Sequence, residues 1–176
     1  MSNATTVLLC GVGGQGTILA ADLLARTALA SNYDVKVSEI HGMSQRGGAV
    51  TTVVRFGTEP VATMVADHGC VDCVESFETT EALRNLPFVR EGGYLLVADE
   101  DIKPLPVLIG KAGMPENARE KLQAAGASLI PAGPIAEQVA TSKSVNVVLL
   151  GALATRLDFS EEVWKEVISK RVPPKT

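Results

Sequence analysis

Aromatic residues are scarce in this chain. Its 176 residues include one tryptophan, two tyrosines and four phenylalanines, and aromatics make up only 4% of the sequence. Alanine, valine and leucine supply most of the apolar content, which reaches 46%. A core of small aliphatic side chains favours an α/β fold, and the length predicts one domain that covers residues 1–176.

Long apolar runs and an excess of positive charge are also missing. No apolar stretch approaches the length of a membrane span, and the first residues lack the basic region and cleavage site of a signal peptide. The formal net charge is −4 at pH 7, which argues against a nucleic-acid-binding surface. We therefore expect a cytoplasmic protein that binds neither membranes nor nucleic acid.

Cysteine is too scarce for a complete metal or cluster site. The three cysteines are Cys10, Cys70 and Cys73, of which the last two form a C-x-x-C pair. Zinc sites and iron–sulfur clusters usually need four ligands, and no second pair follows. A thioredoxin-like redox pair is an alternative, but here the pair enters a predicted strand instead of opening a helix. We expect no metal site, small residues in and beside the core, and a reducing compartment.

Glycine, in contrast, is concentrated near the N-terminus. Residues 6–16, TVLLCGVGGQG, predict an apolar strand that runs into a glycine-rich turn, and a helix follows from Thr17. The spacing is G-x-G-x-x-G, in the strand–turn–helix order that this motif requires. The free N–H groups and the dipole of a helix N-terminus attract anions such as phosphate, although a close strand–helix crossing without a ligand is the alternative. The residues predicted to bind a cofactor here are Gly11, Gly13, Gly14, Gln15, Gly16 and Thr17.

A second glycine-rich segment, HGMSQRGG at residues 41–48, follows the next predicted strand. Glu39 stands near the end of that strand, where dinucleotide-binding folds place an acid on the ribose hydroxyls. Arg46 offers bidentate contacts to a phosphate. Histidine is the residue type most often used for acid–base chemistry, but no nucleophile or acid accompanies His41 at a recognisable spacing, so we predict no catalytic residue. The further residues predicted to bind a cofactor are Glu39, His41, Ser44, Gln45, Arg46, Gly47 and Gly48.

The alternation of strands and helices predicts a three-layer, Rossmann-like fold. We expect a mainly parallel sheet with helices on both faces and a β-hairpin insertion after the second strand, formed by residues 49–56 and 61–65. A helix that is apolar on nearly all sides, and therefore buried, is predicted at 145–157. Because parallel strands end at the same edge, the two glycine-rich segments should meet there and form one composite site.

The two glycine-rich motifs together, GVGGQG and SEIHGMSQRGG, resemble those of a known family. The chain is similar to the gamma-type domain of 2-oxoacid:ferredoxin oxidoreductases, and within that family to the small subunits of the indolepyruvate type. The likeness extends over nearly the whole chain and includes SFETTEALRNLPFVREGGYLLV, VNVVLLGALA and the terminal RVPPK.

This resemblance implies a non-catalytic subunit of a larger enzyme. Such enzymes convert a 2-oxoacid, here an aryl pyruvate, with coenzyme A and oxidised ferredoxin into acyl-CoA, CO2 and reduced ferredoxin. Thiamine diphosphate, a magnesium ion and iron–sulfur clusters would then belong to the large partner subunit, and this chain alone would bind none of them. The gamma-type domain is implicated in coenzyme A binding. The resemblance assigns residues 44–48 to the face turned toward the active centre, and to a phosphate-holding turn it assigns Gly11, Gly13, Gly14, Gln15 and Gly16.

Two other classes of function stay open. G-x-G-x-x-G together with Glu39 is compatible with a stand-alone NAD(P)-dependent dehydrogenase. A flavin- or nucleotide-binding module without chemistry of its own is the second alternative. A bound flavin would colour the purified chain, whereas the subunit interpretation predicts no colour.

Overall fold

The computed structural model describes residues 4–42 and 48–172. Its strands are β1 (Thr5–Val12), β2 (Asp34–His41), β3 (Ala49–Gly57), β4 (Val71–Ser76), β5 (Val89–Ala98) and β6 (Ser128–Ile130). Its helices are α1 (Thr17–Ala30), α2 (Thr79–Asn85), α3 (Leu105–Leu108), α4 (Ala118–Ala124), α5 (Ala132–Val139), α6 (Val145–Ala154) and α7 (Glu161–Arg171). Within these described ranges, no helix has the length and apolar character needed to cross a membrane.

All six strands form one mixed sheet, in the order β2-β3-β1-β4-β5-β6. The pairs β1–β4, β4–β5 and β5–β6 are parallel, whereas β3 is antiparallel to both of its neighbours, β1 and β2. The order reverses at β1, because β2 and β3 lie on one side of it and β4 to β6 on the other. The predicted α/β class with a mainly parallel sheet is therefore confirmed.

Helices cover both faces of the sheet, as the sequence predicted. On one face the larger hydrophobic cluster joins α1, α6 and α7 to the strands through residues such as Leu24, Leu149 and Trp164. On the opposite face a smaller cluster brings Ala82 of α2 and Leu122 of α4 against Leu8 and Val74. Most of these core side chains are aliphatic, which agrees with the low aromatic content.

The predicted β-hairpin of residues 49–56 with 61–65 is not found. β3 pairs along its whole length with β1 and β2, from Thr5↔Phe56 to Val12↔Ala49 on the β1 side, so it has no free edge for a further strand. Residues 61–65 form no strand. The Asp34 carboxylate accepts a hydrogen bond from the Val61 N–H, and Arg55 donates to the carbonyl of Val65. These contacts hold the segment as it crosses toward β4.

The helix predicted at 145–157 is shorter and only half-buried. α6 ends at Ala154, and its inner face contributes Leu149, Leu150 and Leu153 to the core. Its outer face carries the exposed Gly151 and lines an apolar groove against α7. The expectation that this uniformly apolar helix is buried on every side is therefore wrong for its outer face.

Candidate functional site

The glycine-rich turn connects β1 to α1 at the carboxyl edge of the sheet. Gly14 and Gly16 have positive φ values of 105° and 83°. Residues with a Cβ atom adopt such values only at a cost in free energy. Gly16 is the residue before the first turn of α1 and provides no side-chain cap for it. Among the described residues, no side chain is recorded as an acceptor for the first N–H groups of α1, an arrangement that attracts an anion.

The Gln15 side chain is hydrogen-bonded to backbone groups of the protein. Its Oε1 accepts a hydrogen bond from the Val12 N–H at 2.8 Å, and its Nε2 donates to the carbonyl of Phe77 at 2.8 Å. The side chain thus joins the end of β1 to the residues that follow β4. The sequence predicts Gln15 as a cofactor contact; in the structure both ends of its amide have backbone partners, and the cofactor contact itself stays a prediction.

Two of the motif glycines are required by packing. A Cβ atom at Gly11 would lie 2.7 Å from Gln15 Oε1 and 3.0 Å from the Phe77 Cβ. A Cβ atom at Gly16 would lie 2.6 Å from Asn146 Nδ2, on α6. At Gly14, in contrast, an added Cβ would meet nothing within 4 Å. Gly14 therefore faces open space.

An open groove of about 630 Å³ lies beside this turn. The exposed side chain of Ile18 lines it, and the ion pair between Arg171 and Asp22 closes one side at 2.7 Å. Burial raises the pKa of Asp22, but hydrogen bonds from Arg171 and Arg26 outweigh that effect and hold the pKa below its ordinary value. The groove residues are Val12, Gly13, Gly14, Gly16, Thr17, Ile18, Leu19, Asp22, Val50 and Arg171.

The second glycine-rich segment meets the turn at one described point. The Gly13 N–H donates a hydrogen bond to the carbonyl of Gly48 at 2.9 Å, so the two segments share the same edge as predicted. The strands that the two segments follow, β1 and β2, are not adjacent, because β3 lies between them. The predicted site residues Ser44, Gln45, Arg46 and Gly47 lie outside the described residues.

Glu39 and His41 lie on β2, which is not a neighbour of β1 and its glycine-rich turn. Both are exposed on β2, where Glu39 is opposite Thr52 and His41 is opposite Val50 of β3. The His41 Nδ1 atom lies 3.3 Å from the carbonyl oxygen of Gly42. Strands are spaced by about 4.8 Å, so Glu39 is roughly two strand spacings from β1. A dinucleotide held by both the turn and Glu39 is not favoured by this order.

Sequence reasoning missed two buried acidic residues in and just after β4. Glu78 caps α2 by accepting hydrogen bonds from the N–H groups of Thr80 and Glu81. Glu75 is fully buried in β4, and neither of its carboxylate oxygens has a hydrogen-bond partner among the described residues. Burial raises the pKa of Glu75 to about 8, so it is largely protonated at neutral pH. The available signal in the sequence was the position of Glu75 inside a predicted strand, VDCVES.

The cysteines are arranged as small core and surface residues. Cys10 and Cys73 belong to the hydrophobic clusters on opposite faces of the sheet, and Cys70 is exposed. Burial raises the pKa of Cys10 to about 12 and that of Cys73 further, so both thiols stay protonated. Within the part of the chain that the structure describes, no group of three or more His, Cys, Asp or Glu residues is placed to hold a metal ion.

Known proteins are similar to this chain in sequence and in fold. Residues 6–176 match the family described as pyruvate ferredoxin/flavodoxin oxidoreductase. The indolepyruvate oxidoreductase subunit IorB of Thermococcus kodakarensis is 40% identical over 177 residues, which cover 97% of this chain and 87% of that protein.

Among solved structures, pyruvate oxidoreductase subunit PORC of Thermotoga maritima aligns with a TM-score of 0.73 at 23% identity, over 98% of this chain and 88% of that one. The 2-oxoglutarate:ferredoxin oxidoreductase of Magnetococcus marinus, solved with 2-oxoglutarate, coenzyme A and succinyl-CoA bound, aligns with a TM-score of 0.72 at 21% identity. That alignment covers 97% of this chain and 27% of the larger one.

Proposed function

The chain belongs to the pyruvate ferredoxin/flavodoxin oxidoreductase family, and from this premise we propose that it is the small, non-catalytic subunit of a 2-oxoacid:ferredoxin oxidoreductase. The aryl pyruvate substrate class, with indolepyruvate as its representative, is supported by the 40% identity to an indolepyruvate oxidoreductase subunit over nearly the whole chain. The enzyme would produce acyl-CoA, CO2 and reduced ferredoxin.

The redox cofactors belong to a larger partner subunit in this proposal. Bound there, thiamine diphosphate with magnesium supplies the decarboxylation and iron–sulfur clusters carry the electrons. The residues of this chain do not fit a cluster, because two of its three thiols are buried on opposite faces of the sheet and protonated. In this proposal the chain contributes to coenzyme A binding, to closure of the active site and to assembly.

The observation that carries the proposal is the uncapped N-terminus of α1 beside the open glycine-rich turn. The exposed backbone at Gly14 and the groove along Ile18 leave room for a phosphate of coenzyme A. The binding of coenzyme A in the Magnetococcus marinus enzyme of similar fold is consistent with this assignment. The residues proposed to face coenzyme A or the partner are Gly13, Gly14, Gly16, Thr17, His41, Ser44, Gln45, Arg46, Gly47 and Gly48.

A stand-alone NAD(P)-dependent dehydrogenase is not favoured. The intervening strand β3 separates Glu39 from the turn, and Gln15 fills the space between the ends of β1 and β4. A nucleotide module without chemistry is also less favoured, because the sequence relatives are oxidoreductase subunits along their whole matched length.

Reconstitution tests the proposal. The purified chain should show no oxidation of indolepyruvate with coenzyme A and ferredoxin, and activity should appear only when its thiamine-diphosphate-containing partner is added. The partner alone should also be inactive, or its turnover of the 2-oxoacid should no longer depend on coenzyme A. Turnover by this chain alone, or full coenzyme-A-dependent turnover by the partner alone, would contradict the proposed role.

A further inference from the structure

The crevice where the strand order reverses is bridged by the protein itself. In open α/β sheets, ligands bind at the carboxyl ends of the strands at such a reversal, which here is between β1 and β4. The Gln15 amide spans this position through its bonds to Val12 and Phe77. The Phe77 N–H also donates to the carbonyl of Cys10 at 2.8 Å, which continues the pairing of the two strands to this point.

The bridge needs the chemistry and length of glutamine. One atom of the side chain must accept from a backbone N–H while the other donates to a carbonyl, which an amide does and a carboxylate does not. Asparagine is one methylene shorter, and methionine has neither group. Gly11 leaves the space that Oε1 occupies, because a Cβ there would come within 2.7 Å of it. Glycine at position 11 and glutamine at position 15 are therefore one structural unit.

Bridging gives a flexible turn a fixed shape. A turn with Gly13, Gly14 and Gly16 loses much conformational entropy when it is ordered. Gln15 anchors it to the end of β4, Asn146 packs on Gly16, and Gly13 in turn holds the carbonyl of Gly48. Backbone N–H groups bind an anion well only when they are held in place before the ligand arrives.

We propose that Gln15 is a positioning residue for coenzyme A. Its amide is bound at both ends by protein backbone, and in this way it fixes the glycine-rich turn and, through the Gly13–Gly48 hydrogen bond, the adjoining end of the second glycine-rich segment. The inference rests on the proposed function for the identity of the ligand. The bridge itself, and its effect on Gly13, do not depend on that identity.

Two variants and one control test this role. Gln15→Glu keeps the size but loses the donor to Phe77, and Gln15→Met loses both hydrogen bonds. Gln123→Glu, on the exposed side of α4, is the matched control for the added charge. Each variant is assembled with the partner subunit for steady-state kinetics, and the isolated chain is used for amide hydrogen exchange at Gly13 and for thermal melting.

Both Gln15 variants should raise KM for coenzyme A by about two- to tenfold, the effect of losing a neutral hydrogen bond. The kcat value and KM for the 2-oxoacid should stay within about twofold of wild type, and amide exchange at Gly13 should become faster. The control should match wild type in all three measurements.

A lower melting temperature with unchanged KM for coenzyme A and unchanged exchange at Gly13 would overturn the inference and leave Gln15 as a stabilising residue only. Equal losses in kcat and in both KM values would also overturn it. If the wild-type complex proves independent of this chain, the proposed function fails by that comparison. Exchange at Gly13 in the isolated chain then still decides whether Gln15 holds the turn, and unchanged exchange would refute it.

Discussion

The two ends of the sheet are built from opposite kinds of residue. The glycine end, at the carboxyl edge, consists of the turn from Gly11 to Gly16 and of Gly48, held by hydrogen bonds to bare backbone. The aromatic end, at the amino edge of β1, is a cluster of Tyr33, Phe56, Phe159 and Trp164. Its neighbouring ring centroids lie 5.2 to 6.0 Å apart.

Under the proposed function, this difference separates stability from binding. In a chain with so few aromatics, four of them contribute large buried surfaces at one end, where they join the sheet to the layer of α1, α6 and α7. The other end keeps its backbone accessible and obtains its rigidity from directional hydrogen bonds instead. Substitutions at the aromatic end should therefore change melting, and those at the glycine end should also change the kinetics of the assembled enzyme.

The largest expected effect is at the aromatic end. Trp164→Ala should lower the free energy of unfolding by about 3–5 kcal/mol, because it leaves a cavity against Phe159. Trp164→Phe should cost much less, since the indole N–H has no hydrogen-bond partner among the described residues. Denaturant unfolding measures both values. Leu105→Ala, at a side chain 68% exposed, is the control and should be nearly neutral.

The separation would break down if Trp164→Ala, at a temperature where it remains folded, also raised KM for coenzyme A in the assembled enzyme. We expect that constant to stay within about twofold of wild type, because the aromatic end is at the opposite edge of the sheet.

A smaller effect is expected from glycine substitutions at the other end. Gly16→Ala should destabilise the fold by about 2–4 kcal/mol, because its backbone is left-handed and the new methyl group would press on Asn146. Gly14→Ala has open space around it and should cost only about 1–2 kcal/mol, from the backbone alone. Thermal and denaturant unfolding distinguish the two.

Equal losses for the two variants would show that Asn146 does not enforce the small residue at position 16. Gly126 follows α4, has a positive φ and has open surroundings, so Gly126→Ala measures the cost of the backbone conformation away from the glycine-rich turn. Kinetics of the assembled Gly14→Ala enzyme should show a raised KM for coenzyme A, which Gly126→Ala should not.

Arg46→Lys should affect function with little change in stability. If Arg46 contacts coenzyme A or the partner, the loss of its rigid fork of donors should cost about 1.5–3 kcal/mol, or roughly a tenfold to hundredfold loss in kcat/KM of the assembled enzyme. The melting temperature should stay the same. Arg84→Lys, at an exposed arginine on α2, is the matched control. Unchanged kinetic constants for the 2-oxoacid and coenzyme A would refute a role for Arg46 in binding.

Glu75, in the strand between the two ends, should limit stability in a pH-dependent way. Its pKa is raised by burial from an ordinary value of 4.5 to about 8, so the folded protein holds a proton that the unfolded chain releases above pH 4.5. Stability should therefore fall as pH rises from 4.5 to about 8 and then level off, as far as this group is concerned. Glu75→Leu should remove that slope and stabilise the fold by about 1–3 kcal/mol at pH 8, because no unpaired carboxylate stays buried.

Unfolding measured from pH 5 to 9 tests this expectation, with Glu116→Leu as a control on an exposed acid. The smallest effect would be on kinetics, which should be the same for Glu75→Leu and wild type at pH 7. A wild-type slope that persists in Glu75→Leu would assign the pH dependence to other groups.

Much of the fold could be predicted from local pattern. The glycine-rich turn follows an apolar strand and precedes a helix, and that order predicted β1 and α1 within a residue or two. The pairing of β3 could not be predicted in this way. Its strong β-forming sequence indicates a strand. Its place between β1 and β2, however, depends on contacts with residues far away in the sequence.

The amino-acid sequence by itself determined the α/β class, the family, and the residue types gathered at the carboxyl edge. Only the tertiary structure decided the hydrogen-bond partners of Gln15, because Phe77 is 62 residues away and no local spacing indicates that contact. It also decided that Glu39 stands two strands from the turn and that the outer face of α6 stays open. Local propensity and periodicity are properties of neighbouring residues, whereas strand order and side-chain partners are decided by long-range packing.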